Sequence, residues 1–347
     1  MNLAAPVAGV LATRGTVREL GAHVTGICFD RAATQAAFAL GDGTVHLAEV
    51  TGPGDWQRIA AHDGAVLALS PDTRDHGFVS AGDDGVLQRI SAGGALSEIF
   101  STGGKWIEQL ATYAEPRAGL VACAAGKQVH LFDAGGVRLK TLTHPSTVTG
   151  LAFDAKGKRL AASHYNGASL WFTASKSDNP RSLEWKGSHI GIAMHPAAEA
   201  VVTAMQENAL HGWRLGDGQH LRMTGYPAKT ESLGFTRNGK WLASSGADAI
   251  VLWPFFGGGP LNKPPVELAP IEGVLCTRVA CHPKDELVAA GYADGTVVVA
   301  QIGTQRVVVI AEPGPTSISA LAWSFDGARL AFGTEHGQAA LVDLSAR

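Results

Sequence analysis

The chain has 347 residues, of which 43 are glycine, 17% are charged and 7% are aromatic, with a formal net charge of −3. Those proportions exclude a coiled coil, which needs charged residues and leucine at helical period, and a disordered chain, which needs high charge and little apolar content. A charge so near neutral gives no general attraction to nucleic acid or to an anionic membrane surface, so neither is expected as a partner.

The apolar run at 3–12 has no basic segment before it and is short for an export signal, and no stretch of 18 apolar residues follows. No membrane span is therefore expected, and a cytoplasmic location is. Cys28, Cys123, Cys276 and Cys281 form no C-x-x-C pair, so all four are expected as reduced thiols.

From Thr16 onward the chain reads as short strands between tight turns. A strand at 16–20 precedes a first unit, 23–61, with strands at 25–29, 35–40, 44–49 and 56–59 around the turn Asp42-Gly43. The second unit, 62–102, turns at Asp84-Gly85, the third, 103–143, at Gly126-Lys127, and the fourth, 144–186, at Asn166-Gly167. The fifth, 187–225, turns at Asn208-Ala209, the sixth, 226–270, at Asp248-Ala249, the seventh, 271–313, at Asp294-Gly295, and the last, 314–347, at His336-Gly337. Successive turns are 42, 42, 40, 42, 40, 46 and 42 residues apart. Asp-Gly and Asn-Gly accept positive φ at both centres of a type I′ hairpin. One such pair says little; eight turns at near-constant spacing, four of them of this type and each with an apolar run about 14 residues ahead, specify four antiparallel strands per unit. That is the unit of a β-propeller blade.

The repeat resembles the WD-repeat (WD40-type) β-propeller family in a degenerate, bacterial-type form, and the resemblance runs through essentially the whole chain. Phe132-Asp133 and Val342-Asp343 keep the family's Trp-Asp frame after the turn, whereas Trp171, Trp213 and Trp253 stand one residue earlier. The family's Gly-His step is similar to Ala22-His23, Ala61-His62, Thr143-His144 and Ser188-His189. The resemblance implies an all-β, single closed propeller over 1–347. Eight blades are expected, with seven as the alternative. The last unit lacks a fourth strand and the chain start has a spare one at 14–22, so an N-terminal strand is expected to complete the last blade and cover its edge.

Catalytic vocabulary is missing. There is no phosphate-binding G-x-x-x-x-G-K-[ST], no H-E-x-x-H and no G-x-S-x-G, so no enzyme, cofactor or catalytic residue is expected. His46, His130 and His211 share one strand position in units one, three and five, which are not neighbours and cannot converge on one ion; His195 and His282 precede prolines at turns. Hydrogen-bonded histidines are expected rather than a metal site. Asp42, Asp84, Asn166, Asp248 and Asp294 are expected as turn residues, and Trp171, Trp213 and Trp253 as blade residues. The resemblance also implies buried sets joining a loop histidine, a hydroxyl and the turn: His62, Ser80 and Asp84 in unit two, and His144, Ser163, Asn166 and Trp171 in unit four.

The function expected is a non-catalytic scaffold, a monomeric propeller within a complex, holding protein partners on one face. A lactonase-like or quinoprotein-like propeller enzyme and a metal-homeostasis accessory are the alternatives. The face with the second-to-third-strand turns is expected to present Trp106, Glu108, His164, Tyr165, Lys229, Glu231, Asp248, Arg278 and Tyr292. On the opposite rim, the connections at 173–181 and 254–265 emerge two units apart. In the second of these, Phe255 and Phe256 form either a docking anchor or a plug beneath the blade.

Overall fold

A computed structural model describes residues 9–345 except 53, 116, 117 and 178. Hydrogen bonding groups the strands into seven sheets, six of four strands and one of six, and every strand pairing is antiparallel. The first sheet runs Val24–Phe29, Gln35–Leu40, Thr44–Glu49 and Gln57–Ala60, in chain order from one edge to the other. Its second strand, Gln-Ala-Ala-Phe-Ala-Leu, is buried at every position because it has a neighbouring sheet on each face. Small side chains let the sheets approach closely.

Each cluster of buried apolar residues spans two consecutive sheets, apart from one that lies within the six-stranded sheet. The cluster of Val24, Phe29, Ala36 and Phe38 with Ala320, Ala331, Ala339 and Leu341 joins the first sheet to the last. The first strands of successive sheets pack side by side, and Ile318–Trp323 of the last lies against Val24–Phe29. The last sheet comprises Ile318–Trp323, Arg329–Thr334, Gln338–Asp343 and, from the start of the chain, Gly15–Glu19, in register Gly15 to Val342 through Glu19 to Gln338.

The count differs from the expected eight: seven sheets form, because residues 148–223 share one. There, strands Arg159–Phe172 and Arg181–Met194 each run 14 residues, through positions that interrupt strands elsewhere. The first of them folds back at Asn166 and Gly167 (φ 66° and 139°), so that the Thr173 N–H reaches the Lys158 carbonyl at 3.0 Å. Tyr165 pairs with Ser188, and this bridge fuses the fourth and fifth sequence units into one hydrogen-bonded sheet. The 42-residue period continues through it all the same.

Candidate partner-binding site

The second-to-third-strand turns all lie at one end of the sheets, and backbone bonds fasten most of them to the segment entering the next sheet. His62 N–H donates to Gly43 O (2.9 Å), Thr102 to Gly85 (2.9 Å), His144 to Lys127 (2.9 Å), Ile271 to Asp248 (2.9 Å) and Leu20 to Gly337 (2.8 Å). Glycine is needed where this clasp is tightest. Gly43 has φ 85°, and a Cβ there would lie 2.3 Å from the carbonyl oxygens of both His62 and Gly64. The turn carboxylates close the hairpins from inside: Asp42 accepts from Thr44 N (3.0 Å) and Thr44 Oγ1 (2.6 Å), and Asp294 from Thr296 N (2.9 Å). Asn166 accepts from Gly187 N (3.2 Å). These residues shape a rigid face.

Beneath that face the buried sets take several forms. His62 Nδ1 meets Asp84 at 3.0 Å and Nε2 meets Ser80 Oγ at 2.9 Å, as expected for unit two. In the six-stranded sheet Trp171 Nε1 donates to His144 Nε2 (2.9 Å), but Ser163 turns away to Thr149 (3.2 Å) and Asn166 to Gly187. Trp213 donates to Glu184 O at 3.3 Å. Trp253 donates to Tyr226 Oη (2.6 Å), which also bonds Ser244 Oγ (2.6 Å). Tyr226, unforeseen in the sequence, stands 27 residues before its tryptophan, the same separation as His144 from Trp171. That spacing is the signal that would have found it. Burial pushes the Tyr226 hydroxyl up to about 12.

Other histidines also carry structure. Nε2 of His195 and of His282 each bonds a turn carbonyl of the next unit, Gly239 and Gly327, at 3.0 Å. His46, His130 and His211 lie on third strands of units one, three and five, and among the described residues no group of three or more His, Cys, Asp or Glu is placed to hold a metal. Burial raises the thiol pKa of Cys123, Cys276 and Cys281 to about 12 and that of Cys28 higher still, and all four are unpaired.

On the turn face itself, Trp106 and Tyr165 are each 58% exposed, and Glu108 is exposed beside Trp106. Lys229, Glu231 and Arg278 come together: Glu231 meets Lys229 at 3.3 Å and Arg278 at 3.0 Å, while Arg278 Nε holds Ser319 O at 2.6 Å. Burial disfavours the Glu231 carboxylate, but Arg278 and Lys229 outweigh it and keep its pKa below the usual range. Asp248 is exposed in its turn.

Two expectations for this face need correction. Tyr292 is fully buried as the last residue of strand Leu287–Tyr292, its hydroxyl donating to Ala269 O at 2.5 Å, so it presents nothing to a partner. His164 is also buried, bonded to Ser169 Oγ at 2.9 Å. The two phenylalanines of the opposite rim divide. Phe255 tucks under the blade, edge-on to Phe235 at 4.8 Å, whereas Phe256 is 46% exposed against Trp241, with Lys263 over its ring at 5.0 Å.

A hydroxyl series, also unforeseen, ties the first strands to one another. Thr277 donates to Ile318 O (2.7 Å), Ser319 to Val24 O (2.7 Å) and Ser232 to Val279 O (3.1 Å), and Thr149 bonds the His189 carbonyl. Thr149, Thr277 and Ser319 each sit at a register shift in the first strand. A β-bulge there aims the side chain sideways at the neighbouring sheet.

Comparison with known proteins agrees with this architecture. Residues 279–347 match the family described as the anaphase-promoting complex subunit 4 WD40 domain. Autophagy-related protein 16 of Arabidopsis thaliana is 22% identical over 311 residues, 85% of this chain and 59% of the relative. WD repeat-containing protein slp1 of Schizosaccharomyces pombe is 24% identical over 188 residues, 51% of this chain and 38% of the relative. The chain thus spans less than two thirds of the length of either of these curated relatives. The crystal structure of the computationally designed Ika8 protein superposes with a TM-score of 0.74 at 21% identity, over 94% of this chain and 98% of that one, and shares its fold. With four-stranded antiparallel units and clasped turns the fold is that of a β-propeller, and these matches support a WD-repeat propeller family.

Proposed function

We propose that the chain is a non-catalytic scaffold: a single-domain ring, closed by its N-terminal strand, that binds protein partners on the face carrying the second-to-third-strand turns. The observation behind this is the pair Trp106 and Tyr165, each 58% exposed on a face whose backbone is otherwise clasped tight. A large aromatic held on a rigid frame buries much apolar area at small entropic cost, which is why such residues dominate interface energies. In this reading Glu108 and the Lys229–Glu231–Arg278 group form the polar rim, Arg278 and Lys229 both being held by the one Glu231 carboxylate. The unpaired cysteines fit a reducing compartment, the cytoplasm, where the propeller serves as a monomer within a complex.

A photo-crosslinking residue placed at 106 or 165 is expected to join the chain to protein partners in the host cell. The double variant Trp106→Ala/Tyr165→Ala is expected to lose affinity for the captured partner by at least about thirtyfold, as for hot-spot residues, with an unchanged melting temperature. Partners retained at full affinity by the folded double variant would exclude this face as the docking site.

A further inference from the structure

The opposite rim carries a feature that scaffolding through the turn face leaves unused. There the first-to-second-strand turns are tied to the third-to-fourth-strand connections: Thr173 N–H to Lys158 O (3.0 Å), Leu215 to Glu199 (2.7 Å) and Phe255 to Lys240 (2.7 Å). Between these ties lie two adjoining cavities of about 410 and 320 Å³, with Glu199 and Arg214 in the wall of both. The larger has an apolar floor of Leu170 and Leu215, an exposed ring at its edge in Phe172 (53% exposed), and the guanidinium groups of Arg159 and Arg181.

The three arginines are not equivalent. Arg214 is neutralised, with Nε 2.9 Å from Asp217 Oδ1 and Nη2 2.5 Å from Oδ2, and its Nη1 donates to Gly258 O at 2.9 Å. Arg159 and Arg181 have no ion pair among the described residues. Each is positioned by a backbone carbonyl: Arg181 Nη1 donates to Leu215 O (2.7 Å) and Arg159 Nη1 to Ala198 O (3.3 Å), the latter guanidinium also lying 5.7 Å over the Phe172 ring. One such bond per guanidinium leaves its other N–H donors open, in the fork that matches a carboxylate. Glu199 is the one acid in the cavity wall, and it makes no ion pair with either arginine. On a chain of net charge −3, this is a locally cationic, partly aromatic pocket with donors held in place.

We propose that this rim pocket binds a short acidic segment of a protein partner, its carboxylates bridging Arg159 and Arg181 and an adjacent apolar side chain resting on Phe172. Charge complementarity selects the carboxylates, and the apolar floor selects a peptide over a free ion. The site is separate from the Trp106 face, so a partner could be held at both ends of the ring.

The test is selection of displayed random dodecapeptides on the full chain, followed by fluorescence anisotropy with the best synthetic peptide. Selected sequences are expected to pair Asp or Glu with a neighbouring Leu, Ile or Phe, and binding to fall steeply between 50 and 300 mM salt. Arg159→Ala/Arg181→Ala and, independently, Phe172→Ser are each expected to weaken binding by tenfold or more, with Arg181→Lys intermediate because it keeps charge but loses the fork. Trp106→Ala/Tyr165→Ala is expected to leave this binding intact, so the two proposals fail separately. Peptides without acidic residues, affinity indifferent to the arginine and Phe172 variants, or stronger binding of a phosphoserine peptide or a single-stranded oligonucleotide of equal charge would each overturn the proposal.

Discussion

With the sheets numbered in chain order, the second (residues 66–101) and the six-stranded fourth (residues 148–223) solve the same local problem with different chemistry. Each must fix a loop histidine beneath the turn face, in the tight space where one sheet passes to the next. In the second sheet His62 is held from both sides, by the Asp84 carboxylate at 3.0 Å and the Ser80 hydroxyl at 2.9 Å. In the six-stranded sheet His144 receives one side-chain bond, from the Trp171 indole at 2.9 Å, and its Nδ1 has no hydrogen-bond partner among the described residues. A carboxylate can compensate a protonated ring, whereas an indole N–H bond requires the neutral one, because the accepting nitrogen must carry a lone pair. The fifth sheet goes further and replaces the histidine with Tyr226. What the fold requires at this position is a polar side chain of the right reach. The residue type then decides how the sheet responds to truncation and to acid.

The largest expected effect separates the two sheets by packing. Trp171 is 5% exposed within the cluster joining the third sheet to the six-stranded one, and its ring lies edge-on to His144 at 5.5 Å. Trp171→Ala is expected to cost about 3–5 kcal/mol in a urea titration, as buried tryptophan truncations do. Trp171→Phe is expected to cost about 1–3 kcal/mol, because it keeps most of the packing but leaves His144 Nε2 buried and unpaired. If Trp171→Phe costs nothing while Trp171→Ala keeps its full cost, the indole bond contributes nothing and the contrast with the second sheet is one of shape alone.

Acid gives the next discrimination. Burial, reinforced by the nearby His164, lowers the pKa of His144 from about 6.5 to about 4. Between those values the unfolded chain takes up a proton that the folded chain refuses, so stability is whole above pH 6.5 and falls as the pH drops towards 4. The loss at His144 is on the order of 3 kcal/mol. His211, lowered to about 3 by burial and then by His220, steepens the same decline. Burial raises the Asp84 carboxyl, but bonds from Val86 N, His62 and Asp63 N outweigh it and set the pKa below 3.8. Its stabilisation therefore persists to lower pH and is lost only below the ordinary aspartate value. Melting temperatures from pH 7 to 4.5 are expected to fall less steeply in His144→Gln than in the wild type, while Asp84→Asn keeps the wild-type slope from a lower starting point. Parallel slopes for wild type and His144→Gln would remove the histidine from the account.

The repeat and the strand order were legible in the sequence because turn chemistry is local: Asp-Gly and Asn-Gly announce positive φ wherever they stand. The unit-two set was legible through the resemblance to the WD-repeat family, which implies a loop histidine, a hydroxyl and a turn carboxylate where His62, Ser80 and Asp84 stand. What escaped depends on neighbours distant in the chain. The merging of units four and five follows from the pairing of Tyr165 with Ser188, which no dipeptide signals. Tyr292 read as a turn-face residue because it precedes Ala293-Asp294, yet its strand runs on to Tyr292 itself and places the ring in the core between sheets. Phe255 and Phe256 are adjacent and so face opposite ways, and only one of them could be an anchor. The arginine pocket needs residues 159, 181 and 214 on one rim, a grouping visible only once the sheets are stacked.

The smallest expected effect tests whether a hydroxyl belongs to the histidine set or only stands near it. Ser80 and Ser163 lie on second strands one register position apart relative to the first-strand bulge, Ser80 opposite Leu69 and Ser163 opposite Gly150, and both are fully buried. Ser80 Oγ bonds His62, whereas Ser163 Oγ bonds Thr149 Oγ1 at 3.2 Å, which itself reaches across to the His189 carbonyl. Ser80→Ala and Ser163→Ala are each expected to cost about 1 kcal/mol, the net worth of one buried hydrogen bond, so single variants do not tell them apart. Double-mutant cycles do. The coupling of Ser80→Ala with His62→Gln is expected to reach about 1 kcal/mol, since each removes the same bond, and that of Ser163→Ala with His144→Gln to stay within about 0.4 kcal/mol, as for sites without a shared partner. Ser163→Ala should couple instead with Thr149→Val, because that pair belongs to the hydroxyl series linking first strands. Coupling between Ser163 and His144 as large as in the second sheet would mean that one network serves both sheets, and the difference in their acid response would then have to arise from Trp171 alone.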